Sequence, residues 1–442
     1  MKRAHGGPTI AVLLVGVAFG VAFGWPVARA AEDTSTGWAE GIPSARPEEV
    51  GLSSERLARI APVMQRYVDQ GKVAGAIGAI ARHGKLAYLE SWGFQDREAN
   101  TAMKDDAIFR IFSMSKAITG VAVMMLHEEQ GFPLTAPASR WLPELHDLKV
   151  AVESVDPATG ERGYRLEPTE RDMSVRDLLT HSSGLSYEGP RDARGERLYK
   201  KLGIDASSND LTLADLVKKI GEAPLHDQPG TVWRYGLSID VLGRLVEVMS
   251  GQPFDEFLES RIFQPLRMRD TAFWVPAEKK SRLTAIYTRG DDGKLRPYAN
   301  PPRDYLTKPK LASGGGGLAS TTRDYLRFVQ MLLDGGELGG RRLLSRKTVE
   351  LMASDGIGDQ PRAGNLGPGD GFGLTFRVNQ SPGRNGALGS VGEYSWGGAA
   401  GTRFWIDPKE DMVTIFMIQI LPHEGLTYGS EFKTLAYQAI VD

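Results

Sequence analysis

Over residues 109–130 the chain reads FRIFSMSKAITGVAVMMLHEEQ. Residues 109–112 form a short, mainly apolar run that predicts a strand. After one polar step at Ser113 come Ala117, Ile118, Val121, Ala122, Val123, Met124, Met125 and Leu126, with no broad polar face. That pattern predicts a helix buried on every side. Upstream, Leu57, Ile60, Met64, Tyr67 and Val68 recur at helical spacing within 53–69. Residues 73–81 and 86–92 are strand-like and flank Arg82-His83-Gly84-Lys85, which predicts a hairpin. Downstream, 150–154 and 164–166 suggest a smaller hairpin around a turn cluster. Helices are expected at 174–180, 213–220, 239–249 and 254–263, the last ended by Pro265. Residues 186–210 are polar and read as a surface loop.

Beyond residue 280 strands return, at 373–378, 403–407 and 412–419. A helix starts near Thr322, and an amphipathic helix with Phe432, Leu435, Ala436 and Ile440 on one side closes the chain. Strands at both ends and a helical middle predict an α/β domain from 51–112 and 280–442, with a mainly helical domain, 113–279, inserted between them. Residues 31–50, polar and carrying Pro43 and Pro47, read as a loose leader.

The polar step at Ser113 is where chemistry enters. Lys116 follows it at i+3, so hydroxyl and amine share one helix face. The start of the helix adds free N–H groups and a positive dipole end, both favourable to an oxyanion. Burial lowers a lysine pKa, and a lowered pKa would let Lys116 take a proton from Ser113 at neutral pH. A second copy of the pattern, Ser430-Glu-Phe-Lys433, opens the last helix. There Ser430 reads as an N-cap and Lys433 as a solvated first-turn residue.

Composition narrows the classes. The 442 residues are 41% hydrophobic and 24% charged, with a net charge of −2 and no cysteine. Disulfides, thiolate metal sites and a Cys nucleophile are excluded. With no basic block, nucleic acid is not an expected partner. Lys2 and Arg3, an apolar run over 10–24 and Ala28-Arg29-Ala30 read as a signal peptide spanning 1–30. Its removal takes away Lys2, Arg3 and Arg29 and shifts the charge from −2 to −5. A periplasmic or secreted protein without a stable membrane span is then expected.

Other motifs fail on their chemistry. His127-Glu128-Glu129-Gln130 has Gly131 where a zinc helix needs its second His. Gly314 to Gly317 lack the Lys-Ser/Thr of a phosphate loop. No Gly-x-Ser-x-Gly elbow is present. His181, beside Ser182-Ser183-Gly184, reads as a hydrogen-bonded structural residue, and Asp177 and Asp240 as caps or helix pairs.

Three pieces carry a family resemblance: Ser113-Met114-Ser115-Lys116, Trp233-Arg234-Tyr235-Gly236-Leu237-Ser238, and Trp396-Gly397-Gly398-Ala399. In this order they resemble the serine hydrolases of the class C β-lactamase and penicillin-binding protein superfamily, closest to its family VIII carboxylesterases. The stretches Val175 to Leu185, Gln228-Pro229-Gly230-Thr231 and Gly315 to Ser320 extend the resemblance, which runs from about Arg46 to the C-terminus.

The resemblance implies a β-lactamase/transpeptidase-like α/β fold, an antiparallel sheet flanked by helices with a mainly helical insert. It implies no cofactor and no metal. Ser113 would be the nucleophile that forms an acyl-enzyme, Lys116 would hold and activate it, and Tyr235 would share the general-base work. The N–H groups of Ser113 and Ala399 would form the oxyanion hole. Trp396, Gly397, Gly398 and Leu237 would contact substrate, with Trp396 as pocket wall.

Two departures direct the substrate reading. Lactamases and peptidases of the superfamily usually carry Lys or His where this chain has Trp396, and often Asn where it has Leu237. An apolar pocket without charge or amide favours neutral esters of short or medium acyl chains. A β-lactamase or D-amino-acid peptidase acting on a β-lactam-like substrate, and a non-catalytic ligand-binding homologue, are the alternatives.

Overall fold

The computed structural model describes residue 38 and residues 41–442, except 156, 159, 161, 191–196, 365, 424 and 426. The signal segment expected at 1–30 lies outside the described residues. Among the described residues no helix is long and apolar enough to cross a membrane.

Eight strands form one antiparallel sheet: β1 (Gly75–Arg82), β2 (Lys85–Asp96), β3 (Thr101–Ala102), β4 (Asp370–Phe372), β5 (Arg377–Asn379), β6 (Tyr394–Gly397), β7 (Arg403–Asp407) and β8 (Met412–Met417). Their order is β4-β5-β6-β7-β8-β1-β2-β3. Strands from the two ends of the chain meet at β8 and β1, where Ile77 pairs with Met417 and Arg82 with Met412.

Strand period explains the layers. On β1, Ile77, Ala79 and Ala81 enter one core and Ala76 and Ile80 the other; on β8, Val413, Ile415 and Met417 alternate with Met412 and Phe416 in the same way. Both faces are therefore covered, and every β1 residue is buried. One face carries α1 (Ile60–Asp69) and α5 (Tyr428–Tyr437). The other carries α2 (Ser115–Gln130), α3 (Ser238–Ser250) and α4 (Thr322–Leu333). All residues of α2 from Ser115 to Leu126 are buried, as its lack of a polar face predicts.

Several expectations need correction. The 53–69 helix is two pieces, Ser54–Leu57 and Ile60–Asp69. The strand expected at 373–378 is broken between β4 and β5, where Thr375 sits at φ +74°. Pro265 does not end its helix: Phe254–Leu258 passes through a wider turn, Glu259–Phe263, into Gln264–Leu266, and the left-handed Arg267 ends it. Pro265 is tolerated because it stands in the first turn of that last piece. The described part of the 31–50 leader is not loose. Trp38 is buried and donates to the Gly84 carbonyl at 2.8 Å, and Pro47–Val50 is a helical turn that buries Val50.

The second Ser-x-x-Lys copy also differs. Thr427 occupies the N-cap of α5, and the Ser430 hydroxyl donates to the Thr427 carbonyl at 2.8 Å. Lys433 is buried, not solvated, and its Nζ donates to Glu393 Oε1 at 2.6 Å.

Candidate active site

The nucleophile position is built by a crossing of chain segments. Strand Ile108–Arg110 pairs with Ala319–Thr321, and the Ile111 N–H donates to the Leu318 carbonyl at 3.0 Å. The chain then turns sharply: Phe112 adopts φ +43°, a left-handed conformation that non-glycine residues rarely hold. Such strain persists only where the surroundings enforce it. Ser113 follows in the short helical turn Phe112–Met114, which runs directly into α2.

Lys116, one turn on, is fully buried. Its Nζ lies 3.2 Å from Ser113 Oγ, 2.9 Å from the Tyr187 hydroxyl and 2.5 Å from the Gly315 carbonyl. An ammonium has three N–H donors, and here three oxygens receive them. Burial pushes the Lys116 pKa down, as the sequence suggests. The Tyr187 and Tyr235 phenols and the Asp240 carboxyl outweigh burial, and the net direction is up. The net direction runs against the lowered pKa that burial alone predicts.

Tyr235 lies beneath this ammonium, with Nζ 4.7 Å from its ring centroid, and its hydroxyl accepts from the Trp396 indole N–H at 3.2 Å. Trp396 packs behind Tyr235, with ring centroids 5.3 Å apart, and against Phe372. Tyr187, in the polar segment 186–210, is the phenol hydrogen-bonded to Lys116. The residue is 41% exposed while its hydroxyl reaches the buried amine. Burial pushes the Tyr187 phenol up despite the nearby ammonium, so it is neutral at physiological pH. An aromatic residue two places after Gly184-Leu185 in an otherwise polar loop was the only available signal.

Gly398 sets the remaining distance. A Cβ there would stand 2.4 Å from the Ile111 carbonyl, so glycine lets the end of β6 close onto the segment that precedes Ser113. Ala399, just beyond, faces the same cleft as Ser113. That cleft has a volume of about 420 Å³ and includes Tyr187, Ile204, Leu237 and Tyr305 in its walls. Trp396, Gly397 and Gly398 are not part of its lining. The 186–210 segment therefore forms cleft wall through Tyr187 and residues 204–207 as well as surface.

Of three further residues, His181 and Asp240 depart from their expected settings. His181 is buried at φ +57°, 4.7 Å from the Tyr235 ring, and neither ring nitrogen has a hydrogen-bond partner among the described residues. Burial, with the Lys116 charge, holds its pKa well below the usual range. It packs as a neutral ring and is not a hydrogen-bonded structural histidine. Asp240 is neither cap nor helix pair: it accepts from Ser313 Oγ at 2.5 Å and from the Gly315 N–H at 3.1 Å. Asp177 does serve as a cap, completing a capping box with Ser174.

A beta-lactamase family model matches residues 60–437. The chain belongs to the beta-lactamase family. An uncharacterized protein of Mycobacterium tuberculosis is 37% identical over 368 residues, 81% of this chain and 89% of that protein. Esterase EstB of Burkholderia gladioli is 29% identical over 401 residues, covering 86% and 95% of the two chains. Among solved structures, EstCE1, described as a hydrolase with promiscuous acyltransferase activity, superposes with a TM-score of 0.72 at 26% identity, over 87% of this chain and 99% of its own. Simvastatin synthase LovD of Aspergillus terreus shares the fold, with a TM-score of 0.73 at 23% identity over 87% and 98%. The protein is a serine hydrolase of β-lactamase/transpeptidase-like fold.

Proposed function

We propose that this beta-lactamase family member is a secreted or periplasmic carboxylesterase for esters of short or medium acyl chains, working through an acyl-enzyme on Ser113. The observation that carries the reading is the 3.2 Å contact between Ser113 Oγ, which lines the cleft, and the buried Lys116 Nζ. Esterase EstB and the lovastatin esterase of Penicillium rubens, 28% identical over 385 residues, support the ester chemistry. The apolar Leu237 wall supports an uncharged acyl chain, and the signal-like residues 1–30 support export.

The roles follow from the contacts. Lys116 aligns Ser113 Oγ through the 3.2 Å contact and shares its charge with Tyr235 beneath it. The Ser113 proton passes to the Lys116–Tyr235 pair, which can take it only when it starts one proton short of ammonium plus phenol; the Trp396 indole donates to the Tyr235 oxygen of that pair. Ser113 Oγ bonds to the acyl carbon, and the leaving alcohol takes the proton. Water then attacks the acyl-enzyme and gives its proton to the same Lys116–Tyr235 pair, which returns it to Ser113 Oγ as the acyl–oxygen bond breaks, so that each half-reaction balances. The Ser113 and Ala399 N–H groups hold the oxyanion, each worth about 3–4 kcal/mol in the transition state.

Hydrolysis of p-nitrophenyl butyrate and of a chromogenic cephalosporin, side by side, tests the proposal. Fast ester cleavage with slow lactam opening, both lost in Ser113→Ala, is the expected result. Fast lactam opening would replace it with a lactamase or peptidase reading.

A further inference from the structure

Gly314 to Gly317 and Asp240 have so far no part in the chemistry, yet both reach Lys116. The glycine loop is fastened between two helices. From α2, Thr119 Oγ1 donates to the Gly314 carbonyl at 2.9 Å. From α3, Asp240 Oδ1 takes the Ser313 hydroxyl at 2.5 Å and the Gly315 N–H at 3.1 Å. The carbonyl of that same Gly315 receives Lys116 Nζ at 2.5 Å.

Glycine is required by the fit. A Cβ on Gly314 would stand 2.7 Å from the Ile239 carbonyl, and one on Gly315 would stand 2.4 Å from Asp240 Oδ2. Asp240 is buried in the cleft wall, and its Oδ2 has no hydrogen-bond partner among the described residues. A buried carboxyl with an idle oxygen is costly to fold, which argues for a task beyond packing.

We propose that Asp240 is a positioning residue for Lys116: through Gly315 it holds the carbonyl that aims the amine at Ser113. A carboxylate at that place also favours the charged form of the amine. The inference rests on the esterase reading above. Lys116 is faced by Ser113, Tyr187, Tyr235 and Asp240, and Asp240 by Ser313, Lys116 and Arg303. Arg303 itself donates to the Leu311 and Ala206 carbonyls. Burial raises the Asp240 pKa, and Lys116, the Ser313 and Gly315 hydrogen bonds and Arg303 offset it only in part.

The test is ester hydrolysis by Asp240→Ala and Asp240→Asn across pH, with fluorophosphonate labelling of Ser113 and a thermal melt on each protein. Asp240→Ala is expected to lose about 10- to 100-fold in kcat with KM within about twofold, the cost of a misaimed catalytic group. Asp240→Asn retains an oxygen for Ser313 and Gly315, so it is expected to lose less. Removing the carboxylate lowers the pKa of a nearby ammonium, so in Asp240→Asn the basic limb of kcat/KM moves to lower pH. Unchanged kcat in folded Asp240→Ala, or a wild-type basic limb in Asp240→Asn, would overturn the proposal. If Asp240→Ala does not fold, Ser313→Ala takes its place: a severalfold fall in kcat at constant KM supports the proposal, and wild-type kcat overturns it. Failure of wild-type protein to label at Ser113 would instead sink the esterase reading itself.

Discussion

The chain contains two buried lysines at the same spacing from a serine, and they do opposite work. Lys433 meets a carboxylate directly, Glu393 Oε1 at 2.6 Å, with Tyr437 on the other carboxylate oxygen at 2.6 Å. Ser430 turns away from it, toward Thr427. Lys116 meets only a hydroxyl, a phenol and a carbonyl, and its carboxylate, Asp240, stands one residue removed behind Gly315. Burial pushes the Lys433 pKa down and the Glu393 pKa up. Lys116 is driven the other way by two phenols and a remote carboxyl. A lysine neutralised in contact is committed to holding structure together. One kept charged at a distance still has protons to offer a serine.

The largest expected effect separates the serines. Ser113→Ala should lower kcat/KM for p-nitrophenyl butyrate by about 10⁴-fold or more, the usual scale for removing a nucleophile. Ser430→Ala should leave it unchanged and shift the melting temperature little. Equal losses in the two variants would erase the distinction.

The lysines come next, and here activity and stability should part. Lys116→Met is expected to lose about 10³-fold in activity. Its folding stability should hold or rise, because a buried ammonium without a contacting carboxylate is an expense of function. Lys433→Met should keep its activity per folded molecule. It leaves Glu393 in the interior with only Arg377 at 3.7 Å as a cation, a loss of about 3 kcal/mol by urea denaturation. A stable Lys433→Met protein would mean the Glu393 site relaxes or takes up a proton at little cost.

Why one lysine was legible and the other was not is a matter of range. The apolar run of α2 announces burial locally, and Ser113, Lys116 and Tyr235 sit in motifs whose order is visible along the chain. The burial of Lys433 depends on Glu393, which lies on a different segment and belongs to no local pattern. Tyr187 was hidden for the same reason: its polar neighbours describe a loop, and only the fold brings its hydroxyl to Lys116. The direction of the Lys116 pKa also needed three dimensions. Desolvation could be inferred from the helix, whereas Tyr187, Tyr235 and Asp240 converge from separate segments. The broken β4–β5 strand and the helix running through Pro265 fail at the level of single turns, where packing overrides pattern.

Tyr187→Phe makes the smallest change at the active lysine and bears most directly on how the two sites differ. It deletes one of the three oxygens on Lys116 Nζ and leaves the ring in the cleft wall. A hydrogen bond to a charged group contributes about 1.5–3 kcal/mol, so a loss of about 10- to 100-fold in kcat/KM is expected. Tyr187 is among the groups that raise the Lys116 pKa. Without its hydroxyl that pKa falls, and the basic limb of the pH profile should move to lower pH. Tyr437→Phe removes the matching phenol from the Glu393 site and should alter stability alone. A Tyr187→Phe enzyme with a wild-type pH profile would show that the carboxyl behind Gly315, and not the phenol, sets the charge of the catalytic lysine.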